Sequence, residues 1–338
     1  MPFNLNAIMG ACNCLTDKEQ HDVTIETQPR TPRPQTHLLQ IAFRAYLARK
    51  RLHEASLLFT VAPQPESWVA DFIGSPQDLL TPQAADVQRT LQPFDYSREV
   101  WGVVQRGAVR LSDRSVYEGQ WRQGARYGKG RLFRADGSFQ EGYWQNGLLH
   151  SRGRTVYASG DLYEGEFSHG QREGQGRLIA ANKCCYEGLW AGDLQHGQGC
   201  EVFADSRTSY TGRYHQGAKQ GQGCFRWADG SSYEGEFFAN KMHGSGRYVW
   251  ADKRQYQGEW HDSLMHGQGK FEWPDGRTYK GGYVYDKKHG FGVYEWEGKR
   301  YEGEWREGKM HGEGFLTLPG KPRRKFRFVK GKRAEALD

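Results

Sequence analysis

A Tyr-x-Gly-x-aromatic motif recurs along most of this chain at a nearly constant interval. Its glycines are Gly119, Gly142, Gly165, Gly188, Gly212, Gly235, Gly258, Gly281 and Gly303. The steps between them are 23 residues, apart from one of 24 and one of 22. An aromatic residue stands two positions after every one of these glycines, and Tyr stands two positions before all except one, where Gln140 replaces it. A fixed period of this length indicates an array of repeated supersecondary units.

The alternation within each motif predicts a β-strand with one apolar face. Side chains in a strand point alternately to opposite faces, so Tyr, Gly and the aromatic residue share one face, and polar residues such as Glu118 and Gln120 share the other. A short polar turn follows, for example residues 145–147, and then a second glycine-marked strand, for example residues 221–227. Asp-Gly pairs such as Asp136-Gly137 then reverse the chain. Each repeat is therefore predicted to be one β-hairpin.

The glycines constrain how the hairpins assemble. Glycine permits positive φ in tight turns, and its missing side chain leaves room for neighbouring aromatic rings. A lone hairpin is marginally stable in water, so the hairpins must pair side by side. Nine repeats over residues 117–318 predict a mainly β fold. The expected object is an elongated single-layer antiparallel sheet about 85 Å long, estimated from the strand spacing.

The repeats resemble the MORN (membrane occupation and recognition nexus) family. That family's repeat reads approximately Tyr-Glu-Gly-Glu-Trp, then Gly-x-x-His-Gly-x-Gly, then Asp-Gly. Residues 233–237 with 241–246, and 301–305 with 309–314, are close to it. Residues 98–116 look like a preceding half repeat, which gives an array over residues 98–320. The resemblance implies a non-catalytic protein-interaction rod, often self-associating, of the kind found in ciliary axonemes, sperm structures and the cytoskeleton.

A basic amphipathic helix is predicted over residues 37–54, which contain no Gly or Pro and place apolar residues at helical intervals beside Arg and Lys. Such a helix suits the acidic groove of calmodulin-like proteins. The segment resembles the IQ motif, whose matching positions here are Leu39, Gln40, Arg44, Arg49 and Leu52. The resemblance implies binding of calmodulin or a related light chain. Packing against the first strands of the array, or lying on a membrane surface, are the alternatives.

The remaining N-terminal residues carry weaker signals. Residues 1–36 read as a disordered leader, and residues 55–97 as a linker with short helices. If translation began at Met9, Gly10 would be a myristoylation site, with Cys12 or Cys14 available for palmitate.

The C-terminal residues 321–338 are strongly basic. Lys321, Arg323, Arg324, Lys325 and Arg327 could form a patch for anionic lipid. The alternative is a degenerate last strand, because Phe326 follows Gly303 by one period and charged edges prevent further strand pairing. The second interpretation is favoured.

No catalytic, nucleotide or metal motif is recognisable in the sequence. His243, His266, His289 and His311 recur like the repeats, but no acidic or thiol ligands accompany them at zinc spacing, so they are interpreted as turn residues. No Gly-rich segment has phosphate-loop spacing. The sequence therefore predicts no enzyme activity and no cofactor, and the aromatic residues are needed for packing rather than for nucleic acid.

The charge and hydropathy of the chain bear on its partners and location. The net charge of +7 favours acidic partners. No apolar run of 18 residues and no secretory signal is found, so the chain is expected to be cytoplasmic, associated with the cytoskeleton or an axoneme. The expected function is a scaffold that carries a calmodulin-like light chain. A phosphoinositide-binding adaptor at membrane junctions is the alternative.

Overall fold

The computed structural model of the protein describes residues 68–337. Within them, 22 β-strands form one open antiparallel sheet in which consecutive strands are neighbours from first to last. The predicted single-layer sheet of tandem hairpins is confirmed. No helix in this part of the chain has the length and apolar character needed to cross a membrane.

The strands follow in chain order: β1 Trp68–Asp71, β2 Val104–Leu111, β3 Val116–Arg122, β4 Ala125–Phe133, β5 Phe139–Gln145, β6 Leu148–Val156, β7 Leu162–Ser168, β8 Gln171–Ile179, β9 Cys185–Ala191, β10 Leu194–Val202, β11 Ser209–His215, β12 Ala218–Arg226, β13 Ser232–Phe238, β14 Lys241–Val249, β15 Gln255–His261, β16 Leu264–Glu272, β17 Thr278–Val284, β18 Lys287–Trp296, β19 Lys299–Arg306, β20 Lys309–Thr317, β21 Arg324–Val329 and β22 Lys332–Ala336. A 3-10 helix, Pro76–Leu79, and an α-helix, α1 Pro82–Thr90, lie between β1 and β2.

Each repeat closes with a two-residue turn in which both central residues have positive φ. Gln123 and Gly124 have φ of 53° and 81° in the first repeat, and Glu307 and Gly308 have 49° and 78° in the ninth. This is the signature of a type I′ turn, whose twist matches that of antiparallel strands. The hairpin geometry thus follows from local turn chemistry, repeated along the chain.

The motif tyrosine lies flat across a pair of glycines. Gly119 in β3 faces Gly130 in β4. A Cβ atom added to Gly130 would lie 2.1 Å from the Tyr117 hydroxyl oxygen, and one added to Gly119 would lie 2.8 Å from it. The ring itself is fully buried, and its hydroxyl donates to the carbonyl of Gln120 at 3.2 Å. The predicted slots for aromatic rings are therefore real, and the Tyr of the same motif fills them.

The second aromatic residue of each motif joins neighbouring repeats. Tyr117 packs edge-on against Trp121 of its own repeat, with ring centroids 5.2 Å apart, and against Trp144 of the next repeat at 5.4 Å. The same contact recurs in each later repeat that has the motif tyrosine, and at the end of the array Tyr301 meets Phe328 in β21 at 4.9 Å. Edge-to-face aromatic pairs are stabilising beyond the area that they bury. They connect the repeats on one side of the sheet, which we call the aromatic face.

The opposite side, the polar face, is partly covered by residues that precede the array. Thr81 caps α1, accepting a hydrogen bond from the Ala84 amide at 3.2 Å and donating to the Ala158 carbonyl at 2.8 Å. Ala84 is fully buried in a small cluster with Val116, Phe133, Phe139 and Val156. Within residues 55–97, expected to be a linker with short helices, the described part thus contains two short helices, but it also contributes strand β1 and packs against the sheet.

The two ends of the array also contain strands. β2 lies within the expected half repeat of residues 98–116 and pairs with β1 on its outer side. At the other end, β21 and β22 occupy most of the basic C-terminal segment. Residues 1–36 and 37–54, with the leader and the IQ-like helix predicted for them, lie outside the described residues.

Two glycines of β18 separate steric from conformational requirements. A Cβ on Gly292 would lie 2.4 Å from the buried Tyr279 hydroxyl, whereas Gly290 has φ of 69° and open space around its Cβ position. We expect Gly292→Ala to lower the free energy of unfolding by about 2–3 kcal/mol through overpacking. Gly290→Ala should cost about 1 kcal/mol through the left-handed backbone alone. Urea unfolding of both variants tests this, and equal losses would contradict the proposed ring slot.

Candidate functional site

Residues 91–98 run without regular secondary structure over the polar face of the second repeat. The Arg154 guanidinium donates to the Gln92 carbonyl at 2.8 Å, and the Arg98 amide donates to the Tyr143 hydroxyl at 2.7 Å. The Lys129 ammonium donates to the Tyr96 carbonyl at 2.9 Å. Main-chain groups of the segment are therefore held by side chains of β4, β5 and β6, as a bound peptide would be.

Two aromatic side chains anchor this segment. Phe94 is 9% exposed and lies 5.4 Å from the guanidinium carbon of Arg154. Tyr96 donates to the Gly130 carbonyl at 3.2 Å, and its ring packs against that of Tyr143 at 5.8 Å. Burial, followed by the nearby Glu141 carboxylate, raises the pKa of Tyr96 above its usual range. Tyr96 therefore stays a neutral donor at physiological pH.

A buried ion pair lies beneath the two anchors. Arg154 and Glu141 face each other across β6 and β5, 2.5 Å apart, with side chains 8% and 9% exposed. Removing one partner of such a pair leaves an uncompensated buried charge, which is strongly destabilising. The ion pair therefore holds the Arg154 guanidinium in place, and the Phe94 ring packs against that group.

A cleft of about 230 Å³ continues this arrangement into the third repeat. Its lining consists of Phe94, Arg152, Gly153, Glu164, Gly165, Gln175, Gly176, Arg177 and Glu187. Glu164 and Arg177 face each other across β7 and β8, as Glu141 and Arg154 do one repeat earlier. The chain's own segment covers the earlier pair, and the later pair is more exposed. The cleft therefore repeats the chemistry of the occupied position.

The aromatic face presents a second group of features, namely cations held among aromatic rings. Lys219 lies 4.9 Å from the Tyr210 ring and is 2.6 Å from the Glu201 carboxylate. Glu201 also accepts a hydrogen bond from the Tyr214 hydroxyl at 3.1 Å. One carboxylate thus satisfies both donors, and the lysine is a paired, mostly buried cation.

Lys288 occupies the same position three repeats later but in a different electrostatic environment. Its ammonium lies within 4.5–5.1 Å of four ring centroids, those of Tyr279, Tyr294, Trp305 and Trp273. Burial, followed by nearby Arg277, lowers the pKa of Lys288 to about 7. Among the described residues no carboxylate pairs with it.

The predicted lipid patch lies on and beside β21. Arg323, Lys325 and Arg327 form ion pairs with Glu302 at 3.2 Å, Glu313 at 2.6 Å and Glu335 at 3.8 Å, respectively. Arg324 begins the strand and Lys321 precedes it. These pairs neutralise part of the patch, and its lipid binding stays a prediction.

The other predicted site residues fall in two groups. Leu39, Gln40, Arg44, Arg49 and Leu52, together with Gly10, Cys12 and Cys14, lie outside the described residues. Of the repeated histidines, His243 and His266 both lie against His261, with ring centroids 5.2 and 5.7 Å away. No group of three or more metal-ligating side chains is found within residues 68–337.

Sequence reasoning missed the peptide-like segment and the two lysines. A signal that this face is covered was present, because the polar-face positions of the first repeats carry apolar residues such as Val116, Phe133 and Phe139, but these pack against α1 and not against Phe94 or Tyr96. For Lys288 the signal was a lysine at the position that Met242 and Met265 occupy in other repeats.

A family model described as MORN repeat matches nine segments of the chain, which together make up more than half of its residues. The segments are residues 117–139, 141–162, 163–185, 186–206, 210–232, 233–253, 256–276, 279–298 and 301–320. The comparison with curated proteins gives no match.

Several solved structures show distant similarity. The TCP10 domain of CPAP from Danio rerio, in complex with a STIL peptide, is 12% identical, with 69% of this chain and 99% of that chain covered and a TM-score of 0.35. The TCP domain of SAS-4 from Drosophila melanogaster, with a proline-rich motif of Ana2, is 13% identical over 52% and 83%, with a TM-score of 0.26. A streptogramin B lyase is 10% identical over 68% and 82%, with a TM-score of 0.14. These similarities are too weak to support inferences about ligands.

The two lysines give opposite expectations for stability. Lys288→Met should raise the free energy of unfolding near pH 7 by about 1–2 kcal/mol, because it removes a polar group held among aromatic rings. Lys219→Met should lower it by about 1–3 kcal/mol, because Glu201 would lose its partner. Urea unfolding of both variants measures the effects, and stabilisation by both would contradict the assigned roles.

The pH dependence of the Lys288 effect has a defined sign. The folded pKa of about 7 lies below the ordinary value of 10.5, so the unfolded chain binds more protons between these values. Wild-type stability should therefore rise relative to Lys288→Met as the pH increases from 7 to 9. The tyrosines beside Lys288 stay neutral over this range in the folded protein, because burial raises the pKa of Tyr279 and of Tyr294. A difference that is constant with pH would contradict the lowered pKa.

Proposed function

Because this chain belongs to the MORN repeat family, we propose that it is a non-catalytic protein-interaction scaffold whose polar face binds extended segments of partner proteins. The observation that carries this proposal is the way in which residues 91–98 bind to the polar face. There the sheet already holds a segment without regular secondary structure, through hydrogen bonds to its main-chain groups and through the anchors Phe94 and Tyr96.

The character of the two faces supports this assignment. On the aromatic face, the motif tyrosines are almost completely buried, so most of its rings serve packing between repeats. On the polar face beyond the second repeat, carboxylates, amides and guanidinium groups point outward, and the cleft at Glu164 and Arg177 lies directly beside Phe94. Extended peptides with an aromatic anchor and a neighbouring acidic residue, like Phe94 and Asp95, are the partners that this chemistry favours.

A labelled peptide with the sequence of residues 89–99 tests the proposal when titrated into the full-length protein. We expect binding detectable by fluorescence polarisation. Arg177→Glu should weaken it about fivefold or more, because that substitution removes a charge-assisted donor from the cleft and adds a repelling charge.

Two controls accompany this titration. A peptide with alanine in place of Phe94 and Tyr96 should bind less tightly. The variant Arg247→Glu makes the same charge change three repeats away and should leave the affinity unchanged. Equal weakening by the two arginine variants would indicate non-specific charge attraction and would overturn the assignment of the cleft.

The scaffold is further proposed to carry calmodulin or a related light chain on residues 37–54 and to act in the cytoskeleton, with the ciliary axoneme as its site. Support comes from the spacing of the IQ-like residues, of which Gln40, Arg44 and Arg49 are the polar ones. Purified protein should retain calmodulin in a pull-down with or without calcium. The Gln40→Ala/Arg44→Ala/Arg49→Ala variant should lose it, and wild type that fails in both conditions would exclude this part of the proposal.

The alternative is an adaptor that binds phosphoinositides through the basic C-terminal segment. It draws on Lys321 and Arg324, for which no ion pair is found among residues 68–337, and on the partly exposed cations of β21. Their ion pairs with glutamates reduce the charge available to a membrane. We therefore place this function second to protein binding.

A further inference from the structure

An internal comparison within the array identifies a carboxylate that one repeat has and another lacks. Tyr214 faces Lys219 across β11 and β12, and Tyr283 faces Lys288 across β17 and β18. Glu201, opposite Tyr210, completes the first arrangement. Phe271, opposite Tyr279, occupies the equivalent position in the second. The two lysines therefore have the same register and similar rings but differ in their acidic partner.

The donors around Lys288 are left without acceptors in the described part of the chain. The Tyr283 hydroxyl and the Nη1 atom of Arg277 are both buried with no hydrogen-bond partner. Arg277 itself is 5% exposed, and its other terminal nitrogen contacts Asp275 at 3.1 Å. Buried donors normally have partners, so such a cluster points to a group that the sheet itself does not supply.

Other cations at this strand position are satisfied within the sheet. Arg126 donates to the Gly147 carbonyl at 2.7 Å, and Arg172 pairs with Asp193 at 3.1 Å. In further repeats the position carries Met242, Met265 or Met310, which need no acceptor. Lys288 is thus exceptional among the cations compared, and its surface is half-buried rather than closed off.

We propose that Lys288 receives an acidic side chain, aspartate or glutamate, from a partner protein docked on the aromatic face of repeats seven to nine. This inference rests on the proposed scaffold function but uses the face opposite to the cleft at Arg177. The occupant is a carboxylate because Glu201 shows what the same ring environment accepts. It would accept a hydrogen bond from the Lys288 ammonium, and the positive charge of Arg277 adds to the attraction.

A labelled octaglutamate peptide, titrated into the full-length protein at low ionic strength and pH 6.5, tests this site. Lys288→Met should weaken binding about tenfold. The variant is expected to fold, because methionine occupies this position in other repeats. Lys219→Met removes the same formal charge at the equivalent position but should change the affinity less than twofold, because Glu201 already occupies that site. Circular dichroism verifies that both variants are folded at the temperature of the titration.

Two results would overturn the proposal: unchanged affinity in Lys288→Met, or an equal loss in Lys219→Met. The polar-face function is tested separately, because Arg177→Glu should weaken the Phe94-containing peptide, whereas Lys288→Met should not. If Lys288→Met weakens octaglutamate binding while the peptide of residues 89–99 does not bind at all, the assignment of the cleft is rejected and the lysine site is retained. The reverse pattern leaves the cleft and removes the lysine site.

Discussion

The whole array depends on one contact, the tyrosine ring laid across a cross-strand pair of glycines. In most β proteins the apolar side of a sheet is covered by a second layer. Here Tyr117 and its equivalents lie flat on their own strands, and the following aromatic residues close over them edge-on. The sheet therefore carries its own cover, which explains how a single layer can bury its tyrosines almost completely. It also explains the glycine pair of each repeat that carries the tyrosine: a Cβ on Gly130 would occupy the space of the ring, and one on Gly119 would lie 2.5 Å from the Cα atom of Gly130 as well as close to the ring.

Because the aromatic face is covered by its own side chains, the polar face remains available for other contacts. In a two-layer protein one face of the sheet packs against the second layer, whereas here the aromatic face is covered by its own side chains and the polar face is left largely unoccupied. Residues 91–98 use part of it, bound through Arg154, Lys129 and Tyr143. The first and last repeats differ from the others, because each motif tyrosine packs against an aromatic residue of the following repeat and the end repeats lack one neighbour. Phe328 supplies the last ring, and the Nε1 atom of Trp121 near the first end is buried without a partner.

The repeats could be predicted from the sequence because every signal within them is local. Alternation, turn residues and the glycine pair all fall within one period, so a single repeat contains the information for its own hairpin. The position of residues 91–98 on the polar face could not be predicted, because that segment has no periodicity. It is fixed by contacts between residues distant in sequence, such as Arg98 and Tyr143, which are 45 residues apart. The contrast between Lys219 and Lys288 was also inaccessible, since it depends on whether Glu201 or Phe271 lies on an adjoining strand. Only the register reveals that relation.

The departures from the repeat pattern gain meaning from the uniformity around them. A uniform array offers the same surface every 23 residues, so a partner could bind in several positions shifted by one repeat. Departures remove this degeneracy. In the second repeat Gln140 replaces the motif tyrosine, and the same strand places Glu141 and Tyr143 beneath residues 91–98. Glu201 and Lys288 distinguish two further positions on the aromatic face. The row of packed aromatic residues tolerates such substitutions at isolated positions. These positions can therefore determine which partner binds, and where, without loss of the fold.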